Sequence, residues 1–376
     1  MKSKGVFTHG LIWFGAAISI AEIEAGIQCG SNWVPLILGH FLGGLMLFAM
    51  GILGAKSKKN AMETVKDGFG NAGSKIFASL NFLQLVGWTS VMITQAAAVL
   101  DQLGNPFSLS LTYSIIGVFV LFWIFVGPQN KAHLGTIGMS ILTVLLVYMS
   151  YKLFSLSPKN LTSSAGASFW QAFEISIAMP LSFLPLISDY TKNAEKPVTV
   201  TLVSALAYTI ASLWMYAIGI FISICTDAGI CTPEFTSILQ ILKIGAAGIL
   251  IVLLSTVTTT FLDVYSAGES AHTIIQKISP KIAGMSTCLL GVLLCLLKFF
   301  DYYANFLYLI ASVFAPMASV LIVSHYFVKK YHPYWNGFAW FIGFAVYQFA
   351  GNSPIGPSIS AILVSAFVCG IRALRN

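Results

Sequence analysis

The chain has 376 residues, of which 57% are hydrophobic and 9% charged, against about a quarter charged in a soluble domain. That balance excludes a soluble globular protein. The net charge of +7 is no sign of a nucleic-acid partner, because the lysines and arginines fall between apolar runs.

A spanning helix needs about 20 mostly apolar residues. Twelve such runs are predicted, over residues 8–28, 33–54, 74–101, 107–126, 133–154, 168–190, 198–225, 243–268, 283–299, 303–326, 335–350 and 356–374. The expectation is an all-α integral membrane protein with one transmembrane domain over residues 1–376. The start "MKSKG" passes straight into the first run, so no signal peptide is expected. With the N-terminus in the cytoplasm, only Lys152, Lys159, Lys243 and Lys298 of the 20 Lys and Arg fall outside. Miscounting one span would move every later loop to the other side. Both termini are therefore expected to be cytoplasmic, in the plasma membrane.

Span 1 carries Glu22 and Glu24 in an apolar run, with Gly15 and Gly26 near them. A carboxylate at membrane depth marks a functional site by default. The two lie two residues apart and so point to different sides of a helix; Glu22 is the candidate to face a site. The polar stretch "KSKKNAMETVKDGFGNAGSK" (Lys56–Lys75) reads either as a short cytoplasmic helix or as a solvated basic loop.

Span 3 contains "QLVGWTSVMITQ", in which Gln84, Trp88, Val91 and Gln95 share one helical stripe. A Trp beside amides suits a flat polar ring: the indole stacks and an amide reads an edge. Filling a gap between helices would use the same Trp. In span 6, Pro180 and Pro185 interrupt "AMPLSFLPLI" and predict a broken helix. Freed backbone groups in lipid need partners, so such breaks belong beside a cavity.

The phrase "ISIA" occurs in span 1 (Ile18–Ala21) and again in span 6 (Ile175–Ala178), each preceded by a tryptophan, Trp13 and Trp170. An offset of five spans reverses direction through the membrane. Inverted repeats of this kind build secondary transporters, with the site near the midplane. The phrase also predicts that both copies sit where a helix breaks. Span 8 holds "STVTTTFLDVYSA" (Ser255–Ala267), where Ser255, Thr259 and Asp263 recur every four residues on one face. Neutral hydroxyl oxygens suit a monovalent cation; Ser/Thr contacts between helices are the alternative for some of them. Asp263 requires a partner or a polar ligand.

Cys29, Cys288, Cys295 and Cys369 read as small apolar fillers, and Cys225 and Cys231 flank one loop where a disulfide is conceivable. No Cys-x-x-Cys, His-Glu-x-x-His or phosphate-loop motif is present. No nucleophile–base pair or metal cluster is visible either, so an enzyme is not expected. Paired broken helices and a stripe fitted to one enclosed ring argue against a channel.

At these residues the chain resembles the nucleobase–cation symporter family, which contains the cytosine and purine permeases and hydantoin carriers. "PLSFLPLISDYTKN" is similar to the family's span 6 and its exit, "STVTTTFLDVYSAG" to its span 8, and "VGWTSV" to its span 3. The short length and the ending "NSPIGPSISAILVSA" (Asn352–Ala366) look most like hydroxymethylpyrimidine transporters, relatives linked to uptake of a thiamine precursor.

The resemblance covers essentially the whole chain. It implies a five-plus-five inverted-repeat fold with discontinuous helices 1 and 6. Repeat one would span about 8–154, repeat two about 168–326, and two extra helices about 335–374. It implies coupling to Na⁺ or H⁺, with no other cofactor. The cation positions that match are Gly15 and Ile18 by main chain, with Ser255, Thr258 and Thr259. The substrate positions are Trp88, Gln84, Ser19, Glu22, Pro180, Leu181, Ser182, Phe183 and Asp263. Partners would be a small pyrimidine, the cation and the lipid bilayer, with no nucleic acid, and the protein would act as a monomer.

Asp263 stands where cytosine permeases carry an amide, and that departure puts cytosine in doubt. An ionised carboxylate only accepts hydrogen bonds, whereas an amide also donates. Cytosine presents a carbonyl beside its ring nitrogen; hydroxymethylpyrimidine has a methyl there and keeps an exocyclic amine. Asp263 therefore fits a cation-coupled importer of hydroxymethylpyrimidine, with a cytosine or purine permease of the same fold as the alternative.

Overall fold

The structure, a computed structural model, describes residues 5–126, 132–156, 167–227, 239, 242–243, 245–328 and 332–372. Helices occupy all twelve predicted runs, and there is no strand among the described residues. Six helical segments are long and apolar enough to cross a bilayer, and a bent pair near the N-terminus makes a seventh span. The remaining predicted spans are helices of 14 to 18 residues.

Span 1 is the bent pair, α1 (Val6–Ala17) and α2 (Ile20–Cys29), which meet at 56°. Ile18 and Ser19 between them are extended. Serine is a favoured helix N-cap, and here Ser19 Oγ accepts from the Glu22 amide at 3.2 Å. In an unbroken helix that amide would bond the Ile18 carbonyl. The cap thus starts α2 and deprives the Ile18 carbonyl of its helical donor.

Next come α3 (Trp33–Ser57) and α4 (Ala61–Gln102). The polar stretch between them takes the helical reading. Asn60 and Glu63 form a reciprocal capping box, and the first arm of α4 ends at Gly70, whose φ of 72° lets the chain turn into span 3. Spans 4 and 5 are α5 (Leu109–Val126) and α6 (Ala132–Phe154).

Span 6 is α7 (Phe169–Ser182) and the short α8 (Ile187–Thr191), separated by a turn at 183–186. Pro180 does not break the helix. It lies inside α7, where its ring fills the space left by the missing side chain of Gly43 on α3. Pro185 stands in the turn. This corrects the reading of the repeated phrase. "ISIA" spans the break in copy one, but in copy two it lies wholly inside α7, upstream of the break. The same letters do different work: Ser19 caps a helix and Ser176 bonds the Leu36 carbonyl of α3 at 2.6 Å.

The chain continues through α9 (Pro197–Asp227), α10 (Gly245–Ile274), α11 (Pro280–Leu296), α12 (Tyr303–Val323), α13 (Pro333–Phe349) and α14 (Pro357–Gly370). The long α10 packs along α4, α7 lies on α3, and α9 crosses α1 and α2. At that crossing backbone meets backbone: a Cβ on Gly26 would lie 2.5 Å from the Tyr216 carbonyl, and one on Gly219 would meet Ile23 O. Small residues allow such approach in membranes. Phe41, Leu83, Val118, Phe122 and Leu289 are exposed on the outside of the bundle, as a lipid-facing surface requires. Cys231 lies outside the described residues, so the Cys225–Cys231 pairing does too.

Candidate functional site

The two broken spans and the two long ones surround a small cavity. It is lined by Ala16, Ser19 and Glu22 around the span 1 break, Trp88 and Met92 of α4, Met179 and Phe183 at the span 6 break, and Thr259 and Asp263 of α10. Six of the sequence-predicted site residues therefore converge: Ser19, Glu22, Trp88, Phe183, Thr259 and Asp263.

Trp88 is held by ring edges, Phe306 at 5.4 Å and Tyr303 at 6.2 Å between centroids. Its indole N–H has no hydrogen-bond partner among the described residues. The cavity face of α4 runs through Trp88 and Met92 rather than along the predicted stripe to Val91 and Gln95. Val91 is packed in the core, and the buried Gln95 amide has no hydrogen-bond partner among the described residues.

Phe183 caps α7 and packs against Tyr208 at 4.8 Å and Trp13 at 5.7 Å.

The other predicted substrate contacts lie behind this wall. Pro180 faces Gly43. Leu181 is fully buried in the core. Ser182 donates to Met179 O at 2.6 Å, and its own carbonyl accepts from Gln84 Nε2 at 2.9 Å. Gln84 also donates to Asn81 Oδ1 at 2.7 Å, which fastens span 3 to the span 6 break. These four residues hold the cavity without lining it, because a kinked helix turns only one face inward.

The two carboxylates of the cavity differ in their surroundings. Glu22 Oε1 accepts from Tyr208 OH at 2.8 Å, and Oε2 from Ser212 Oγ at 2.7 Å. No protein group hydrogen-bonds the Asp263 carboxylate among the described residues, although the side chain is buried. Glu24 is half-buried and is not part of the cavity lining.

The cation positions present oxygen acceptors. Thr258 Oγ1 donates to Leu254 O and Ser255 O at 2.9 and 3.0 Å, Thr259 Oγ1 to Ser255 O at 2.8 Å, and Ser255 Oγ to Val252 O at 3.0 Å. With their hydrogens committed to the helix, these hydroxyls have only lone pairs left to offer. The Ile18 carbonyl adds another unclaimed acceptor, and α1 packs against α10. Gly15 lies against Met139 Sδ of α6, and its carbonyl accepts from Ile18 N at 3.3 Å. This donor set suits a hard monovalent ion.

One end of the bundle is tied shut below the cavity. Asp189 Oδ1 accepts from the Ala61 amide at the start of α4, at 2.9 Å. Lys192 and Asn60 both reach Glu269 Oε2, at 2.9 and 3.3 Å. Asp189 and Lys192, three residues apart in the chain, thus bind different partners.

Three polar residues were not singled out from the sequence: Tyr208, Ser212 and His40. His40 is fully buried within the apolar run "LILGHFLGG" (Leu36–Gly44), and an ionisable group inside a span is itself a signal. Tyr208 and Ser212 carried none, since hydroxyls four apart are common in such helices.

A bundle with a discontinuous first span and a cavity at its breaks that holds two buried carboxylates is the architecture of a secondary transporter. The chain belongs to the family of permeases for cytosine/purines, uracil, thiamine and allantoin, the nucleobase–cation symporters, over residues 5–373. It is 22% identical to a hydantoin permease of Microbacterium maritypicum, over 100% of this chain and 86% of the relative. Its fold is similar to that of Mhp1, a nucleobase-cation-symport-1 family transporter solved closed around bromovinylhydantoin (TM-score 0.80, 19% identity, covering 100% of this chain and 92% of that one). A Na⁺-coupled sialic acid symporter shares it at a TM-score of 0.74 and 13% identity, covering 99% and 90%. The protein is thus a multi-pass membrane transporter with the inverted-repeat fold, and not an enzyme.

Proposed function

We propose that this symporter imports an amino-substituted pyrimidine, hydroxymethylpyrimidine, together with Na⁺. The observation that carries the reading is Asp263: a buried carboxylate in a cavity that Trp88 also lines, with no hydrogen-bond donor among the described residues. Burying an unpaired charge is costly, so the missing donor belongs to the ligand. An exocyclic amine beside a ring nitrogen supplies it, and the Trp88 face receives the ring. A cytosine carbonyl at the same place would meet the carboxylate with like partial charge.

Na⁺ would sit between the span 1 break and Ser255, Thr258 and Thr259, one helical turn from Asp263. Ser19, Glu22 and Phe183 would complete the substrate wall. The repeats would run over about 8–154 and 168–326 with extra helices at about 335–374. The protein would work as a monomer in the plasma membrane with both termini cytoplasmic.

A thermal-shift panel of purified protein tests this directly. Hydroxymethylpyrimidine, cytosine, thiamine, adenine and hydantoin are each added in Na⁺ or K⁺ buffer. The expected result is stabilisation by hydroxymethylpyrimidine that is larger in Na⁺. Stabilisation by cytosine or adenine instead would favour a nucleobase permease, and by hydantoin alone a function like that of the relative.

A further inference from the structure

Behind the cavity wall, Glu22 belongs to a chain of hydrogen bonds that crosses four helices. Ser212 Oγ donates to Glu22 Oε2 at 2.7 Å and lies 2.7 Å from His40 Nε2. A hydroxyl has one hydrogen. With that hydrogen committed to Glu22, Ser212 accepts from Nε2–H. On the far side of the ring, Nδ1 lies 2.6 Å from Ser176 Oγ and 3.1 Å from Leu36 O. Ser176 Oγ itself donates to Leu36 O at 2.6 Å, so Nδ1 also faces acceptors. Every group here is buried. The links join α2, α9, α3 and α7, and so both broken spans to the helices that flank them.

Two arrangements satisfy this chain with the same number of protons. In one, Glu22 is ionised and His40 carries hydrogens on both nitrogens. In the other, the Nε2 proton has passed to Ser212 Oγ and the former Ser212 proton to Glu22 Oε2. The Nε2–H and original Ser212 O–H bonds break, while a new Ser212 O–H bond and a Glu22 O–H bond form. Glu22 and His40 end neutral, and no proton enters or leaves. A carboxylate only accepts, whereas a carboxylic acid also donates.

We propose that His40 is a positioning residue of the cavity: acting through Ser212, it fixes Glu22 and exchanges a proton with it, so that Glu22 faces a heteroaromatic ligand either as a charged carboxylate or as a neutral acid whose hydrogen stays directed at Ser212. The specificity part rests on the cavity being the substrate site. An apolar side chain of equal size would fill the His40 space, but it would take from Ser212 the donor that holds its oxygen. The other titratable groups facing the pair are Tyr208 and Tyr216 of α9, Tyr303 of α12, Cys29 and Glu24 of α2 itself, Glu174 of α7 and, across the cavity, Asp263. The tyrosines and Cys29 are weak acids, and Asp263 and Glu174 are present in every variant below.

Infrared difference titration of the purified, ligand-free transporter tests the relay. The protonated-carboxyl band that disappears in Glu22→Gln reports Glu22. In His40→Gln, which keeps an N–H donor but cannot titrate, the midpoint of that band should move by about one pH unit or more, the size of effect a nearby charge has. Ser212→Ala, which leaves both titrating groups but cuts the link, should move it too and decides the matter if His40→Gln does not fold. An identical titration in wild type and both variants would overturn the proposal, as would the absence of any Glu22-dependent band. Hydroxymethylpyrimidine added to wild type should perturb the same band. No response to it, with the variant shifts intact, would overturn the substrate reading and leave the relay standing.

Discussion

On the proposed reading, Trp88, Glu22 and Asp263 would divide the work of recognition by what each has left to give. Trp88 offers a ring face and a free indole N–H, because Phe306 and Tyr303 hold it by their edges. Glu22 has two of its acceptor sites taken by Tyr208 and Ser212. Asp263 has none taken among the described residues. Trp88→Ala is expected to weaken binding of hydroxymethylpyrimidine by about 1–3 kcal/mol, the range for base–aromatic stacking, with Trp88→Phe retaining part. An unchanged dissociation constant for the alanine variant, measured by titration calorimetry, would return Trp88 to a packing role. At this scale the sequence made Trp88 and Asp263 legible, because a Trp amid amides and an Asp amid hydroxyls are out of place in lipid. It did not reveal that Pro180, Leu181 and Ser182 face outward from the cavity. A run of apolar letters gives no sign of which side of a kinked helix turns inward, and the missing Cβ of Gly43, more than a hundred residues away, decides it for Pro180.

The broken elements are terminated by different devices. Span 1 stops where Ser19 caps α2, and span 6 stops after its proline rather than at it. The ending "NSPIGPS" finds its meaning here as well. Gly356, at φ 76°, turns the chain so that α14 begins at Pro357, and Glu174 of α7 receives the Ser358 amide at 2.9 Å and its hydroxyl at 2.5 Å. A carboxylate in span 6 thus caps the last helix. Glu174→Ala leaves those donors unmatched in a buried place, at a cost of about 1–3 kcal/mol. It should lower the thermal midpoint of the purified protein, with Glu174→Gln, which keeps an acceptor, lying between. Equal midpoints for all three would remove the cap from the account. The segment was visible in the sequence as a signature, but its partner was not, since 184 residues separate them.

Over the whole molecule, the number and limits of the spans were legible because hydrophobic length and loop charge constrain a membrane chain strongly. The cavity was legible in part of its lining and not in its support. His40, Tyr208 and Ser212 meet Glu22 only through the crossing of α9 over α2, where Gly26 and Gly219 let the backbones touch. The proposed coupling of cation and substrate also belongs to this scale, since Thr259 of α10 lines the cavity beside the span 1 break, one turn from Asp263. The double variant Thr258→Ala, Thr259→Ala should insert normally but lose sodium-driven uptake in proteoliposomes. Uptake that is equal without sodium and follows the pH gradient would contradict Na⁺ as the driving ion. The central claim is that Asp263 reads the amino edge of a pyrimidine. Its most direct test is the ratio of hydroxymethylpyrimidine to cytosine affinity in wild type and Asp263→Asn, by titration calorimetry in Na⁺ buffer. The account predicts a fall in that ratio of about tenfold or more, equivalent to 1.4 kcal/mol, as the amide accepts less and donates to the cytosine carbonyl. The same ratio in both proteins would contradict it.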